Sequence, residues 1–326
     1  MKISKNILLT GAGFTKNFGG SLATEMWSNI FNCPNLNSST KVKNLLRNNF
    51  DFEEVYWLVM TSSEYTNEDK EALQKSIHSA YKGMEQTFIN YSINGYRDYG
   101  VDFNRVMKFF SLFNGKNGDT GIHFTLNQDL FCERTKRDVP FALVGKNFKD
   151  YREQIESKKI DYNIPFPSPS QEWIEEFKSK HLDSYHNDHA YIKLHGSFGW
   201  ISADGSNQMV LGRNKKEDIE KEPILKFYYE IFNNAIKIPG GKLMIIGYGF
   251  HDDHINEILR EGVEEGLKLY IISPSNLERT KKIIHNNSLW NNVEAYYPYT
   301  LKEIFPDNNS TRDTTIFKEI IEIFTT

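Results

Sequence analysis

Cysteine is almost missing. The chain has two, Cys33 and Cys132, and none after position 132. Two thiols cannot build a four-cysteine zinc module, and in a reducing compartment no disulfide is expected between them. Long apolar runs are missing too. No stretch approaches the roughly 18 residues that span a bilayer. Only Ile7 to Leu9 follow Lys2 and Lys5 as an apolar block, too short for the core of a secretory leader. An excess of one charge is also lacking. With 39 basic and 43 acidic residues the net charge is −4, which argues against a general nucleic-acid or membrane surface. Proline is sparse, and three of the ten gather in Asn163 to Ser170. That tract can be neither regular helix nor central strand. What remains is a globular chain, expected in the cytoplasm, with no membrane or nucleic-acid partner. Its length allows a substantial core.

Aromatics are plentiful, with 23 Phe and 17 Tyr. They favour a well-packed core and leave room for an oligomer interface. Near the start, Asn6 to Thr10 reads as a buried parallel strand running into Gly11-Ala12-Gly13. Glycines permit close backbone approach, and a strand, glycine turn and helix start make a place for a pyrophosphate. The bland reading, a tight strand–helix turn, stays open here. The spacing is not the full dinucleotide fingerprint, and no acidic residue follows at about 20 positions. A helix is expected from Ala23. Residues 40–117 then read as a helical insertion, with a cap at Ser39 or Thr40. Residues 140–189 read as an irregular insertion. Four further runs read as strands: 121–126, 190–194, 243–246 and 267–272, with a last one near 293–297. Strand alternating with helix predicts an α/β fold: a doubly wound, mostly parallel Rossmann-like sheet with a helical insertion. Asp252 or Asp253 is expected to cap the helix after 250, and a terminal helix lies within 306–326.

Four strand-end turns converge in this reading: Gly11-Ala12-Gly13-Phe14, Thr125-Leu126-Asn127-Gln128-Asp129, Lys193-Leu194-His195-Gly196-Ser197, and Gly247-Tyr248-Gly249-Phe250-His251-Asp252-Asp253-His254-Ile255-Asn256. In open α/β sheets, ligands sit at the carboxyl ends of strands. In this order the turns resemble the sirtuin family, and within it the bacterial sirtuin-like NAD+ hydrolases of phage defence. The resemblance covers nearly the whole chain and implies a catalytic domain over 1–305. Two departures matter. The zinc module of the protein deacylases has no counterpart, and Gly19 to Thr24 stands where deacylases carry Asp-Phe-Arg.

The resemblance therefore implies an NAD+ glycohydrolase that releases nicotinamide and ADP-ribose and drains NAD+ from an infected cell. NAD+ is the substrate and no metal is implied. By the same resemblance Asn127 positions ribose and water, His195 serves as base or relay, and Asp129 orients the turn. Gly11, Ala12, Gly13, Phe14 and Thr15 would hold the pyrophosphate side; Gly247, Tyr248, Gly249 and Ser273 would lie along the adenosine half. A homo-oligomer, or a complex with a ring-shaped ATPase or a phage-sensing subunit, is implied as well. The rival readings are a non-catalytic NAD or ADP-ribose sensor, an NAD-dependent deacylase and an ordinary dehydrogenase. His181, His186 and His189 raise a metal question on loose spacing alone, with no second ligand cluster beside them.

Overall fold

Apolar runs bounded by glycine and polar turns become strands of one parallel sheet. The computed structural model describes residues 1–93, 100–135, 166–184, 189–202, 207–307 and 312–325. Its strands are β1 (Ile3–Thr10), β2 (Thr120–Thr125), β3 (Phe166–Pro167), β4 (Ala190–Lys193), β5 (Gly196–Ile201), β6 (Asn207–Met209), β7 (Lys242–Ile246), β8 (Lys268–Ile272) and β9 (Val293–Tyr297). The main sheet runs β4-β2-β1-β7-β8-β9, with every neighbouring pair parallel. Taken in chain order, its strands follow the doubly wound 3-2-1-4-5-6 arrangement. The direction of winding reverses between β1 and β7, the position where such sheets open a crevice at their carboxyl ends. All six residues of β2 are buried, as helices on both faces require. A second small sheet, β3-β5-β6, is built on β5, the strand that leaves the His-Gly turn.

The helices are α1 (Ala12–Lys16), α2 (Ala23–Phe31), α3 (Thr40–Asn48), α4 (Phe52–Thr61), α5 (Asn67–Ile93), α6 (Phe103–Phe110), α7 (Phe131–Thr135), α8 (Gln171–Lys180), α9 (Lys215–Lys221), α10 (Pro223–Ile236), α11 (Asp253–Glu264), α12 (Leu277–Asn286), α13 (Leu301–Ile304) and α14 (Thr315–Thr325). The helix expected from Ala23 starts there as α2, and a short extra helix, α1, comes directly after Gly11. The apolar periodicity of 42–58 is split into α3 and α4. Ser39 Oγ caps the first by accepting from the Val42 N–H, and Asp51 Oδ1 caps the second by accepting from Glu53 and Glu54. Both caps satisfy amide donors that a helix start leaves unpaired. Most of 140–189 lies outside the described residues; within it, α8 is regular helix.

Behind the glycine loop sits an aromatic cluster. The Phe14 ring packs edge-on against Phe18, Phe110 and Phe131, and Phe18 stacks on Phe131 at 4.5 Å. These rings pin the loop to the insertion helices. At the far end of the chain, the Asn6 side-chain amide donates to the Phe324 carbonyl at 2.7 Å, and the Phe324 ring packs on Phe113 and Tyr270. Helix α14 is therefore seated on the same core.

Candidate active site at the carboxyl rim

The switch point is built from glycine backbone against glycine backbone. The Gly11 N–H donates to the Ile246 carbonyl at 2.9 Å, and the Gly13 N–H to the Gly247 carbonyl at 3.0 Å. A Cβ on Gly13 would lie 2.7 Å from the Gly247 Cα. A Cβ on Gly247, whose φ is +65°, would lie 2.3 Å from the Phe14 nitrogen. Only glycine permits this approach. One consequence differs from the simple picture of a phosphate cradle: the Gly11, Gly13 and Phe14 amides are spent on internal carbonyls. The Phe14 ring is core. The solvent-facing backbone of the crevice is that of Ala12 and Gly249, with Gly13 and Gly247 half-buried.

On the next strand over, Thr125 pairs with both Thr10 and Lys193 across the sheet. Two residues beyond that row stand Ala12, Asn127 and His195, so the sheet's register delivers all three to one rim. Asn127 Nδ2 donates to Thr15 Oγ1 at 3.3 Å, and Thr15 Oγ1 donates to Asp129 Oδ2 at 3.0 Å. Asp129 Oδ1 accepts from the Phe131 N–H at 3.0 Å. Burial pushes the Asp129 carboxyl up to about 7, partly offset by Lys193. Gln128 points elsewhere. Its amide donates to the Val210 and His195 carbonyls and accepts from the Tyr81 hydroxyl at 2.5 Å. It is a brace between the second sheet, the His-Gly turn and α5.

Lys193 is almost fully buried. Its ammonium donates to the Asp129 carbonyl and to Glu133 Oε1, the latter at 2.9 Å. Glu85, also buried, accepts from the Leu130 N–H at 2.7 Å and pairs with Arg134 at 2.6 Å. These two ion pairs hold the 127–131 turn from behind. Sequence reading missed both. Lys193 was visible only as part of a motif, and Glu85 belongs to a helix 40 or so residues away in sequence.

Gly196, at φ +70°, turns the chain so that His195 faces the rim. His195 Nε2 lies 2.9 Å from His254 Nε2, which comes from the first turn of α11. Burial holds His195 down to about 3 and His254 down to about 4, in each case against the pull of Asp252. Asp252 precedes α11, but its side chain makes no cap hydrogen bond. Its Oδ1 instead takes the Lys215 ammonium at 2.7 Å, and Lys215 also reaches Glu53 of α4 at 2.7 Å. Burial opposes ionisation of Asp252, but the His195 ring, protonated at that acidity, and Lys215 more than offset it and hold it at about 2. Together these groups tie the insertion to the rim of the sheet.

The remaining candidates are structural in this conformation. The Tyr248 hydroxyl donates to Asn256 Oδ1 at 3.0 Å, and Ser273 Oγ accepts from the Ser275 N–H. His189 Nδ1 pairs with Asn114 at 3.1 Å and His181 is exposed; His186 lies outside the described residues. Among the described residues, the gathering of three ligand-type side chains is His195, Asp252 and His254, with their donor atoms within 4.8 Å of one another.

Residues 142–295 match the SIR2-like domain family. That segment is just under half of the chain. It takes in His195, the 247–249 turn, Asp252, His254 and Ser273, while Gly11 to Thr15 and Asn127 to Asp129 lie before it. A solved structure titled "Structural Basis for the Mechanism and Regulation of Sir2 Enzymes" aligns over 98% of this chain and 92% of its own, at 12% identity and a TM-score of 0.37. That likeness is too weak to carry an argument. No curated protein matches the chain.

Proposed function

We propose that this protein cleaves NAD+ at the nicotinamide–ribose bond, releasing nicotinamide and ADP-ribose, and that it serves as an antiviral effector that depletes NAD+. The observation that carries this reading is the register that brings Ala12, Asn127 and His195 to one rim beside the β1/β7 switch point. A dinucleotide laid across that point meets an amide and an imidazole at its centre. Cleavage passes through an oxocarbenium-like state, and neutral nicotinamide leaves without needing a proton. What the protein must supply is orientation and a water on the open face of the ribose. Asn127, held by Thr15 and Asp129, orients ribose and water. His195, neutral at pH 7, takes the water's proton as its oxygen bonds to C1′. A weak base suffices because the oxocarbenium is itself strongly electrophilic. Asp129 acts through Thr15 and Asn127 and is a positioning residue.

The test is product analysis on purified protein. Free nicotinamide with ADP-ribose supports the reading. Acyl-ADP-ribose would mark a deacylase, NADH a dehydrogenase, and intact NAD+ a binding module. Asn127→Ala and His195→Ala are each expected to lower the rate on the order of a hundredfold or more, since orientation and base terms are both large. Parent-like nicotinamide release by either variant overturns the assignment. We propose further that the active state is an assembly, either of copies of this chain or with a sensing or ATPase partner.

A further inference from the structure

We propose that His195, His254 and Asp252 form a site for a divalent transition-metal ion of the zinc type, and that occupancy withdraws His195 from catalysis. The donor set is two imidazoles and a carboxylate, the mixture that borderline metals such as zinc favour. The three ligand atoms come from two separate elements, the β4 turn and the start of α11, and lie within 4.8 Å of one another. The two Nε2 atoms face each other at 2.9 Å. Zinc–nitrogen bonds of about 2.0–2.1 Å at a tetrahedral angle put two such atoms about 3.3 Å apart. The pair needs to open by only a few tenths of an ångström. In the metal-free protein one Nε2 donates its proton to the other; a shift of that proton to the ring's Nδ1 leaves both Nε2 lone pairs for the ion.

A second feature points to a missing ligand. The Tyr229 hydroxyl is buried with no hydrogen-bond partner, and its ring centre lies 5.8 Å from that of His254. A buried hydroxyl left unpaired costs free energy. A water on a metal held by the three side chains has protons that the hydroxyl oxygen can accept. The opposing charge is Lys215, which occupies Asp252 Oδ1; Glu53 balances it. With both carboxylates ionised, Glu53, Lys215 and Asp252 sum to one negative charge, and Asp252 Oδ2 is left for the ion. Asp253 and Glu257, which also act on His254, add to the negative field. A metal on His195 Nε2 occupies the lone pair that would accept the water's proton. The inhibitory half rests on the proposed NAD+ cleavage; the site itself does not.

The experiment uses the full chain, stripped with chelator and titrated with Zn2+ by calorimetry and with Co2+ by its visible absorption. One ion per chain is expected. His254→Ala and Asp252→Asn should each weaken binding by at least about a hundredfold, since loss of an outer-shell group alone costs ten- to a hundredfold. NAD+ cleavage by the parent should fall in proportion to Zn2+ occupancy and return with chelator. His254→Ala, compared with its own metal-free rate, should not respond at the same Zn2+ concentration. No binding by the parent, or equal binding by both variants, overturns the site. Loss of cleavage on chelation with recovery on Zn2+ overturns the inhibitory role. Binding that follows the triad, in a protein that cleaves no NAD+ with or without metal, sinks the proposed activity and leaves the site standing.

Discussion

His195 and His254 lose their water without gaining a full counter-charge, because the nearby Asp252 is already paired with Lys215. Both rings should therefore remain neutral at pH 5.5, and nitrogen NMR of the two side chains checks this directly. The same burial couples to stability. Between about pH 4 and 6.5 the unfolded chain protonates both histidines while the folded one does not, so stability falls as pH drops through that range. Asp129 acts in the opposite sense. Its folded value of about 7 lies above the ordinary carboxylate range, so the folded state holds a proton that the unfolded state has lost, and its contribution declines as pH rises towards 7. Glu53 and Glu85, whose carboxyls burial also pushes up, act with Asp129, so the histidine contribution is read by difference. On acidification from pH 6.5 to 4 the parent's melting temperature should fall relative to that of a His195→Ala, His254→Ala double variant, and that of Asp129→Asn should fall relative to the parent. Equal profiles for the parent and the double variant would show that the histidines are not buried as described. The residue types and their place at strand ends were legible in the sequence; their protonation was not, because it depends on what packs over them.

At the scale of elements, the contact between the β1 turn and the β7 turn is the most constrained. Gly247→Ala must adopt a left-handed conformation, which costs about 1–2 kcal/mol, and must also move a backbone nitrogen that lies 2.3 Å from the new Cβ. A loss of at least about 2 kcal/mol in denaturant unfolding is expected, and NAD+ cleavage should fall with it. Behind the adjacent turn, Lys193→Met leaves Glu133 buried without its cation. Removing one partner of such a pair typically costs about 3–5 kcal/mol, and urea unfolding should show it; a loss below 1 kcal/mol would mean that the pair does not hold the turn. The glycines could be read from the sequence, because a strand running into Gly-x-Gly is a local pattern. Lys193 could not, since a lysine inside an apolar strand signals burial only once its partner on α7 is known. Asp252 shows the same limit. Its position before α11 suits a cap, yet its carboxylate is taken by Lys215 from α9.

For the molecule as a whole, aromatic surface is left uncovered where α2 meets the start of the insertion, with Trp27 and Phe31 half-buried and Phe50 exposed. Trp27 stacks on Phe31 at 5.0 Å and contacts Phe50, which is 66% exposed. Aromatic rings are enriched in interfaces. The proposed assembly should appear as a mass above that of one chain in light scattering, either alone or after addition of the partner. A monomer that is fully active by itself and indifferent to every such addition would overturn it.

The sequence by itself determined the α/β class, most of the strands and helices, and the four turns that carry Gly11, Asn127, His195 and Gly247. These follow from local chemistry: apolar runs, glycine at sharp turns, and side-chain oxygens at helix starts. The tertiary structure decided which strands are neighbours. Buried parallel strands such as Ile7–Leu9, Leu243–Ile246 and Leu269–Ile272 are interchangeable in pattern, so nothing local says that β7 lies beside β1. Only that adjacency locks Gly247 against Gly13 and puts His254 on His195. It also decided that Lys215 bridges Glu53 and Asp252, and that Phe14 and Tyr248 turn inward. Each depends on which long-range partner fills the space and satisfies the charge.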